Sequence, residues 1–298
     1  MSLEGLINSL KNKPEIDVPM FPYTSFQVGG EADYLFKPAD LEELQTILKN
    51  ITAAEIPFLT MGKGSNLLIR DKGVRGAVIM MGDGFNYIEK KDNVINAGAG
   101  ALLPLLSWKA AEKGLSGLEF AAGIPGSLGG GLIMNAGAFG AYLGDLVEDV
   151  TLIDYEGNIK VMGRGQISFE YRWCSLKEEK GIIIGARLSL NESHPAQIKE
   201  RMGEMLKQRR EKQPCLPSAG SIFRNEPHVP AGQLIEEAGA KGLQIGGAMV
   251  STKHANFIVN VGGASASDIT SLIELVKEKV FQKHGVWLKL ELQIVGEV

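Results

Sequence analysis

The sequence predicts an α+β protein, and three observations carry that reading. Segments with helical periodicity and segments with period-two alternation are interleaved along the chain. Glycine is abundant, at 37 of 298 residues, and much of it falls between Gly62 and Gly144. After Asn191 the character changes to longer helices and fewer strands. The expected organisation is therefore a lead-in over residues 1–20, an α+β domain over 21–192 and a second, smaller α+β domain over 193–298.

Composition narrows the function classes. Apolar residues make up 44% and charged residues 22%, the balance of an ordinary soluble globular protein. A net charge of -4 gives no reason to expect a nucleic-acid partner. No apolar run reaches the roughly 18 residues that a membrane span requires. The N-terminal "MSLEGLINSLKNKPEID" lacks the basic-then-apolar layout of a signal and reads as a short amphipathic helix. Cys174 and Cys215 are the only cysteines, which excludes a disulfide framework and suits a reducing cytoplasm. The four histidines, His194, His228, His254 and His284, show no metal-ligand spacing, so no metal is expected. The oligomeric state is left open; a monomer suffices.

The elements follow in order. "DLEELQTILKN" places Leu41, Leu44, Ile47 and Leu48 on one helical face with Asp40 as N-cap. "IPFLTMGKGSNLLI" reads as strand, glycine turn, strand, and "GVRGAVIMM" as another strand. "YIEKKDNVINAGAG" is a hairpin turning at Lys91-Asp92-Asn93, and "LLPLLSWKAAEKG" a helix closed by Gly114. "VEDVTLIDYEGNIKVM" is a second hairpin around Glu156-Gly157, and "KGIIIGARLSL" a buried strand. A long helix starts near Ser193–Pro195 with Ile198, Met202, Met205 and Leu206 inward. "AGQLIEEAG" is a short helix. "ASASDITSLIELVKEKVFQKHG" is a helix capped by Ser265 or Ser267 and stopped at Gly285. "VWLKLELQIVGE" closes the chain as a strand.

Three glycine clusters are candidates for holding a phosphorylated cofactor. Gly98 and Gly100 in "NAGAGALL" lack the third glycine of the dinucleotide fingerprint, since Leu103 stands there. The Walker pattern is absent. In "MGKGSNLLI", Gly62 and Gly64 let the backbone turn sharply and Ser65 and Asn66 add donors; a polar turn is the alternative. In "GIPGSLGGGLIMNAGAFG" a helix through the glycines would cost roughly 1 kcal/mol for each, which favours a segment lying against a flat or charged ligand. Ser221, in "PSAGSIFRNEP", can be a turn hydroxyl, a cap, a nucleophile or a proton donor; no G-x-S-x-G elbow surrounds it.

"GKGSNLLI" followed by "GIPGSLGGGLIMNAGAFG" resembles the FAD-binding domain of the vanillyl-alcohol-oxidase type. With "YTSFQVGGEADYLFKP", "FEYR", "KQPCLPSAGSIFRN", "AGQLIEEAGAKGLQIGGAMVSTKHANFIVN" and "LELQIVGE", the chain from about residue 21 onward resembles the UDP-N-acetylenolpyruvoylglucosamine reductases. That resemblance implies a fold of two α+β subdomains holding FAD, then a smaller α+β substrate-binding domain. It implies NADPH-dependent reduction of the enolpyruvyl ether of a UDP-sugar to UDP-N-acetylmuramate, for peptidoglycan. NADPH reduces the flavin and leaves; hydride from flavin N5 then adds to the terminal vinyl carbon, and a serine protonates the adjacent carbon.

Carried over by motif, the resemblance implies Arg172, Ser221 and Glu291 as catalytic residues. Arg172 would offset charge growing on the substrate carboxylate, and Ser221 would be the proton donor. It implies cofactor contacts from Gly62, Lys63, Gly64, Ser65, Asn66 and Leu67, from Gly123, Ile124, Pro125, Gly126, Ser127, Gly129 and Gly130, and from Asn135, Ala136 and Gly137. Lys212 and Asn225 would bind the substrate, Lys212 near its pyrophosphate. On residues alone, Lys212 also fits a cation complementing a helix dipole, Arg172 a surface ion pair and Ser221 a turn. Period two in the closing strand sends Leu288, Leu290, Leu292 and Ile294 one way and Lys289, Glu291 and Gln293 the other, towards solvent or a cleft.

Departures from the family pattern are Cys174 where a serine is usual, with Ser175 as its possible substitute, Lys289-Leu290 before the glutamate, and one extra residue after Asn225. The last tyrosine is Tyr171, so the inserted tyrosine of the longer subclass is absent and the short subclass fits. No histidine precedes His194, so FAD is expected to be held non-covalently. The alternatives are an FAD-dependent oxidase or dehydrogenase of the same fold acting on another small molecule, and a non-enzymatic nucleotide-sugar binder.

Overall fold

The computed structural model describes residues 5–7 and 10–298. Of the expected N-terminal helix, Gly5, Leu6 and Ile7 are helical; its residues 1–4 and 8–9 lie outside the described residues. The stretch ends in a strand, β1 (Glu15–Pro19).

The chain forms two compact units, each discontinuous in sequence. The first comprises residues 1–16, 34–63 and 76–208, the second residues 17–33, 64–75 and 209–298. The expected boundary at 192/193 is not where this division falls. The reason is the long helix α4 (Pro195–Lys212): Ile198 and Met202 bury against Ala111 and Ala122, which keeps most of the helix in the first unit.

β2 (Glu31–Phe36), which enters the first unit at Tyr34, is followed by α1 (Leu41–Ala53), capped as expected by Asp40, whose carboxylate accepts the Glu43 N–H at 2.9 Å. Its buried stripe of Leu44, Ile47, Leu48 and Ile51 packs with Phe36, Ala77, Ile79 and Ile153. Strand β3 (Phe58–Met61) runs parallel to β5 (Val74–Met80) from Phe58↔Ala77 to Met61↔Met80. β4 (Leu67–Ile69) belongs to the second unit. The hairpin of β6 (Ile88–Lys91) and β7 (Val94–Gly98) turns through Asp92 at φ 53. Helix α2 (Leu103–Glu112) is followed by Gly114 at φ 69, and α3 (Leu128–Ile133) runs through the glycine-dense segment. β8 (Val147–Asp154), β9 (Ile159–Gly163) and β10 (Gly181–Ser189) complete a five-stranded antiparallel sheet in the order β9-β8-β10-β7-β6. Its apolar core includes Ile95, Leu106, Leu128, Leu132, Val150 and Leu188.

An ion pair with a buried carboxylate ties α4 to the segment before the glycine loop. Glu119, 7% exposed, accepts from Arg201 (2.7 Å), the Ser116 hydroxyl (2.8 Å) and the Gly117 N–H (2.6 Å). Burial alone would raise its carboxyl, but these hydrogen bonds hold it below the usual carboxylate range. A lowered folded pKa contributes stability above the unfolded value that is lost as pH falls through the folded one. We therefore expect Glu119→Gln to cost about 2 kcal/mol at neutral pH, below the ~3–5 for a fully buried pair because Arg201 stays half-exposed. Urea melts should show the deficit shrinking as pH falls through the acid range. A deficit constant with pH would remove the charge from the account.

In the second unit, α5 (Ala231–Glu237) and α6 (Ala266–His284) pack on a small antiparallel sheet of β11 (Gln244–Ile245), β12 (Ala248–Val250) and β13 (Ile258–Asn260). Ile269, Leu272, Ile273, Val276 and Val280 line the inner face of α6 against Leu234, Ile235, Val250 and Ile258. Of the two serines considered as its cap, Ser265 is the one: its hydroxyl accepts the Asp268 N–H, and the Asp268 carboxylate accepts the Ser265 N–H, both at 3.0 Å. Ser267 instead donates to Asp71 at 2.7 Å. Gly285 ends the helix at φ 69.

The closing segment was expected as one strand. Only β14 (Gln293–Val295) is regular, and it runs parallel to β4. The alternation persists upstream, with Leu288 and Leu292 buried and Lys289 exposed. Among the described residues, no helix is long and apolar enough to cross a membrane. Nor do three or more His, Cys, Asp or Glu side chains group to hold a metal.

Candidate active site

A helix does run through Gly129, Gly130 and Gly131, and packing explains two of them. A Cβ on Gly129 would press on Ala99 at 3.0 Å, and one on Gly131 would meet Leu143 at 2.8 Å and Leu103 at 3.0 Å. Close approach to the core offsets the helix propensity that these glycines lack. Gly130 differs: it is exposed, and a Cβ there would have only the Ser127 hydroxyl within 4 Å, at 3.7 Å. Gly62 faces the same hydroxyl, where a Cβ would overlap it. The turn at Gly62 and the helical Gly130, far apart in sequence, thus both present bare backbone to Ser127. A cradle of this kind fits the close approach of a flat or anionic group such as FAD.

Neighbouring positions frame it. Gly126 adopts φ 148, and its carbonyl accepts the Leu103 N–H at 3.0 Å. Gly123, Ile124 and Pro125 lead in from a 3-10 turn, with the Ile124 N–H on Ala121. The N–H groups of Leu128 and Gly129 already donate to Ala101 and Ala99, so the start of α3 is engaged there by protein. Ala136 is buried, and Asn135, at φ 41, has both ends of its amide engaged. Its Nδ2 donates to Glu170 (2.9 Å) and its Oδ1 accepts from Gly144 (2.9 Å). The Asn135 side chain therefore supports the site's frame.

Arg172 sits on that frame. The short hairpin of Phe169–Glu170 and Trp173–Cys174 turns through Tyr171 and Arg172. Arg172 adopts φ 57, a left-handed conformation that costs a non-glycine residue about 1–3 kcal/mol. Its guanidinium donates to the Gly137 carbonyl at 3.3 Å and lies 5.3 Å from the Tyr171 ring centroid. The Asn135–Glu170 bond and the Arg172–Gly137 bond together hold the hairpin against the end of the glycine segment. Cys174, the departure from the expected serine, lies fully buried in the apolar core, where burial pushes its thiol up. Ser175 instead accepts the Ser168 N–H at 3.0 Å.

In the second unit a different set converges. Gly64 (φ 58), Ser65, Asn66 and Leu67 follow Lys63, which is exposed and belongs to the first unit. Asn66 donates through its side chain to the Glu291 carbonyl and accepts from the Gln293 N–H, both at 3.1 Å. The Glu291 N–H in turn donates to the Ile222 carbonyl at 2.8 Å, and the Arg224 N–H to the Lys289 carbonyl at 2.8 Å. Three segments distant in sequence, at Asn66, at Ser221–Arg224 and at Lys289–Gln293, are thereby laid side by side.

Ser221 caps no helix, since α5 begins only at Ala231. It lines a cleft of about 480 Å³ with Asn225, Gln233, Glu236, Lys253 and His254. Asn225 accepts the Ala231 N–H at 3.0 Å, which orients it at the mouth of α5. Lys212 is exposed at the end of α4. His254 accepts the Asn256 N–H on Nδ1 (3.2 Å), and burial lowers its pKa, favouring the neutral ring. Arg172 belongs to the first unit; Ser221, Glu291, Asn225 and Lys212 belong to the second.

Sequence reasoning did not reach Gln233, Glu236, Lys253, His254 or Asn256. For Lys253, His254 and Asn256 the available signal was the run "TKHAN", one residue before the buried strand β13.

Comparison with known proteins agrees with both units. The model for an FAD binding domain matches residues 32–163. The model for the C-terminal domain of UDP-N-acetylenolpyruvoylglucosamine reductase matches residues 210–295. A UDP-N-acetylenolpyruvoylglucosamine reductase of Clostridioides difficile is 45% identical over 98% of this chain and 97% of its own. The one from Caldanaerobacter subterraneus is 42% identical over 99% of each. A crystal structure of the UDP-N-acetylenolpyruvylglucosamine reductase of Thermus caldophilus superposes with a TM-score of 0.82 at 39% identity, covering 94% of this chain and 99% of that one. With matches across nearly the whole length and an FAD-binding domain in place, the chain belongs to the family of UDP-N-acetylenolpyruvoylglucosamine reductases, FAD-dependent oxidoreductases.

Proposed function

We propose that the protein uses NADPH and non-covalently bound FAD to reduce the enolpyruvyl ether of UDP-N-acetylenolpyruvoylglucosamine, yielding UDP-N-acetylmuramate for peptidoglycan precursors. The observation that carries this reading is the alignment of Ser221 and Glu291 on adjoining segments, bonded through the Ile222 carbonyl, beside a cleft that also presents Asn225. When bound, FAD supplies hydride to the terminal vinyl carbon. The residues of the chain deal with the charge and the proton that this addition leaves behind.

Negative charge developing next to the substrate carboxylate is offset by the Arg172 guanidinium, a preorganised cation. Ser221 delivers the proton to the carbon. An alcohol is a weak acid, so this transfer requires a strongly basic carbanionic centre within hydrogen-bond reach. Glu291 would supply a carboxyl group to the same reaction. Lys212 and Asn225 hold the nucleotide-sugar part. In the cofactor loops, Gly62, Gly64, Ser65 and Asn66 and the segment from Gly123 to Gly137 hold FAD. The free thiols of Cys174 and Cys215 suit a cytoplasmic setting.

The test is anaerobic. Protein loaded with FAD is reduced with one equivalent of NADPH and mixed with UDP-N-acetylenolpyruvoylglucosamine while the flavin absorbance is followed. Reoxidation that depends on the sugar nucleotide is expected. Reduction by NADPH without such reoxidation would favour an oxidase or dehydrogenase acting on another molecule. Protein that stays colourless with FAD would favour a nucleotide-sugar binder.

A further inference from the structure

The segment that carries Ser221 lacks a sheet of its own. Residues from Ala219 to Arg224 form no regular strand; Phe223 makes a single isolated bridge to Leu290. Gly220, at φ 77, gives the chain a left-handed step just before the serine. What registers the segment on its other side is one residue. Asn256, 3% exposed, accepts the Phe223 N–H on Oδ1 at 2.9 Å and donates from Nδ2 to the Phe223 carbonyl at 2.8 Å. Its own carbonyl accepts the Ile222 N–H at 2.9 Å.

An amide side chain has the same donor and acceptor pair as a peptide unit, so Asn256 takes the place of the missing neighbouring strand. The opposite edge is held at Ile222 by Glu291 and at Arg224 by Lys289. Ile222 and Phe223 are buried and cannot turn out, so the clamp fixes the backbone on which Ser221 is the next residue. Asn256 is itself anchored, because its N–H donates to His254 Nδ1 at 3.2 Å.

We infer that Asn256 is a positioning residue for the proposed reduction, setting the place of Ser221 relative to Glu291 through the backbone of Ile222 and Phe223. The inference rests on the reading of Ser221 as proton donor. Asn256 acts through the serine. Losing its two bonds lets Ser221 drift, and a shift of about 1 Å at a reacting group can cost on the order of 100-fold.

The experiment uses the full-length holoenzyme and separates the two half-reactions by rapid mixing. For Asn256→Ala we expect FAD reduction by NADPH to stay within about three-fold of the unmodified protein. Reoxidation by UDP-N-acetylenolpyruvoylglucosamine should slow about 30-fold at saturating substrate, with a larger solvent isotope effect as proton delivery becomes limiting. Asn256→Asp keeps the acceptor for the Phe223 N–H but loses the donor to its carbonyl. It should slow reoxidation about ten-fold and serves alone if the alanine variant fails to fold. A residue that only stabilises the fold would lower the melting temperature and leave both rate constants per folded enzyme unchanged; that result, or equal slowing of both halves, overturns the inference. The unmodified protein and Ser221→Ala are run alongside. If the unmodified protein is not reoxidised, the proposed function fails. If it is, and Ser221→Ala slows reoxidation while the Asn256 variants do not, only the positioning role fails.

Discussion

Replacing Ser221 by alanine should slow reoxidation of the flavin by the sugar nucleotide about 1,000-fold while leaving its reduction by NADPH within about two-fold, since a positioned acid contributes roughly 10²–10⁴ to a proton-transfer step. The asymmetry is the point of the experiment. In the proposed mechanism, hydride transfer from NADPH would need no proton from Ser221, whereas saturation of the enolpyruvyl group would. The fold should tolerate the change, because Ser221 caps no helix and faces the cleft. Binding of UDP-N-acetylenolpyruvoylglucosamine should change little. Equal slowing of both half-reactions would return the serine to the role of a turn residue.

Removing the guanidinium of Arg172 should cost about 300-fold in the same reoxidation step, within the range found when one preorganised donor is lost. Arg172→Lys should recover part of this, because lysine keeps the charge but not the planar fork. The more discriminating variant is Arg172→Gly. Position 172 adopts φ 57, which glycine reaches without strain, so this variant loses activity while shedding roughly 1 kcal/mol of backbone strain. The Asn135–Glu170 bond remains to hold the hairpin. The expected pattern is therefore a fall in reoxidation rate without a fall in melting temperature. A variant that loses stability and activity together, or keeps its activity, would show that Arg172 serves only to brace the glycine segment through Gly137.

Local chemistry made much of the fold legible. Asp40 was readable as a cap, and Ser265 as one of two candidates, because a short polar side chain just before an apolar helical stripe satisfies otherwise unpaired N–H groups. Hairpins at Asp92 and at Glu156-Gly157 followed from strand periodicity broken by turn residues. Packing partners were not legible. The sequence does not reveal that Ala99, Leu103 and Leu143 crowd Gly129 and Gly131. The domain boundary near residue 192 was placed by a change in pattern, yet Ile198 and Met202 find their burial with Ala111 and Ala122.

The site divides along the same line. The resemblance to the reductases, carried over by motif, singled out Ser221, Glu291 and Arg172; on residues alone Ser221 read as a turn and Arg172 as a surface ion pair. Asn256 has no such signature, because its importance lies in matching the N–H and carbonyl of Phe223, a residue 33 positions away. Period two along the closing segment determined that Glu291 leaves the core face. That its N–H meets the Ile222 carbonyl was decided only by the tertiary structure. Alternation and capping are set by near neighbours along the chain and survive in any fold that keeps them. Which distant backbone completes a hydrogen bond, or fills the space above a glycine, is set by the packing of the whole unit.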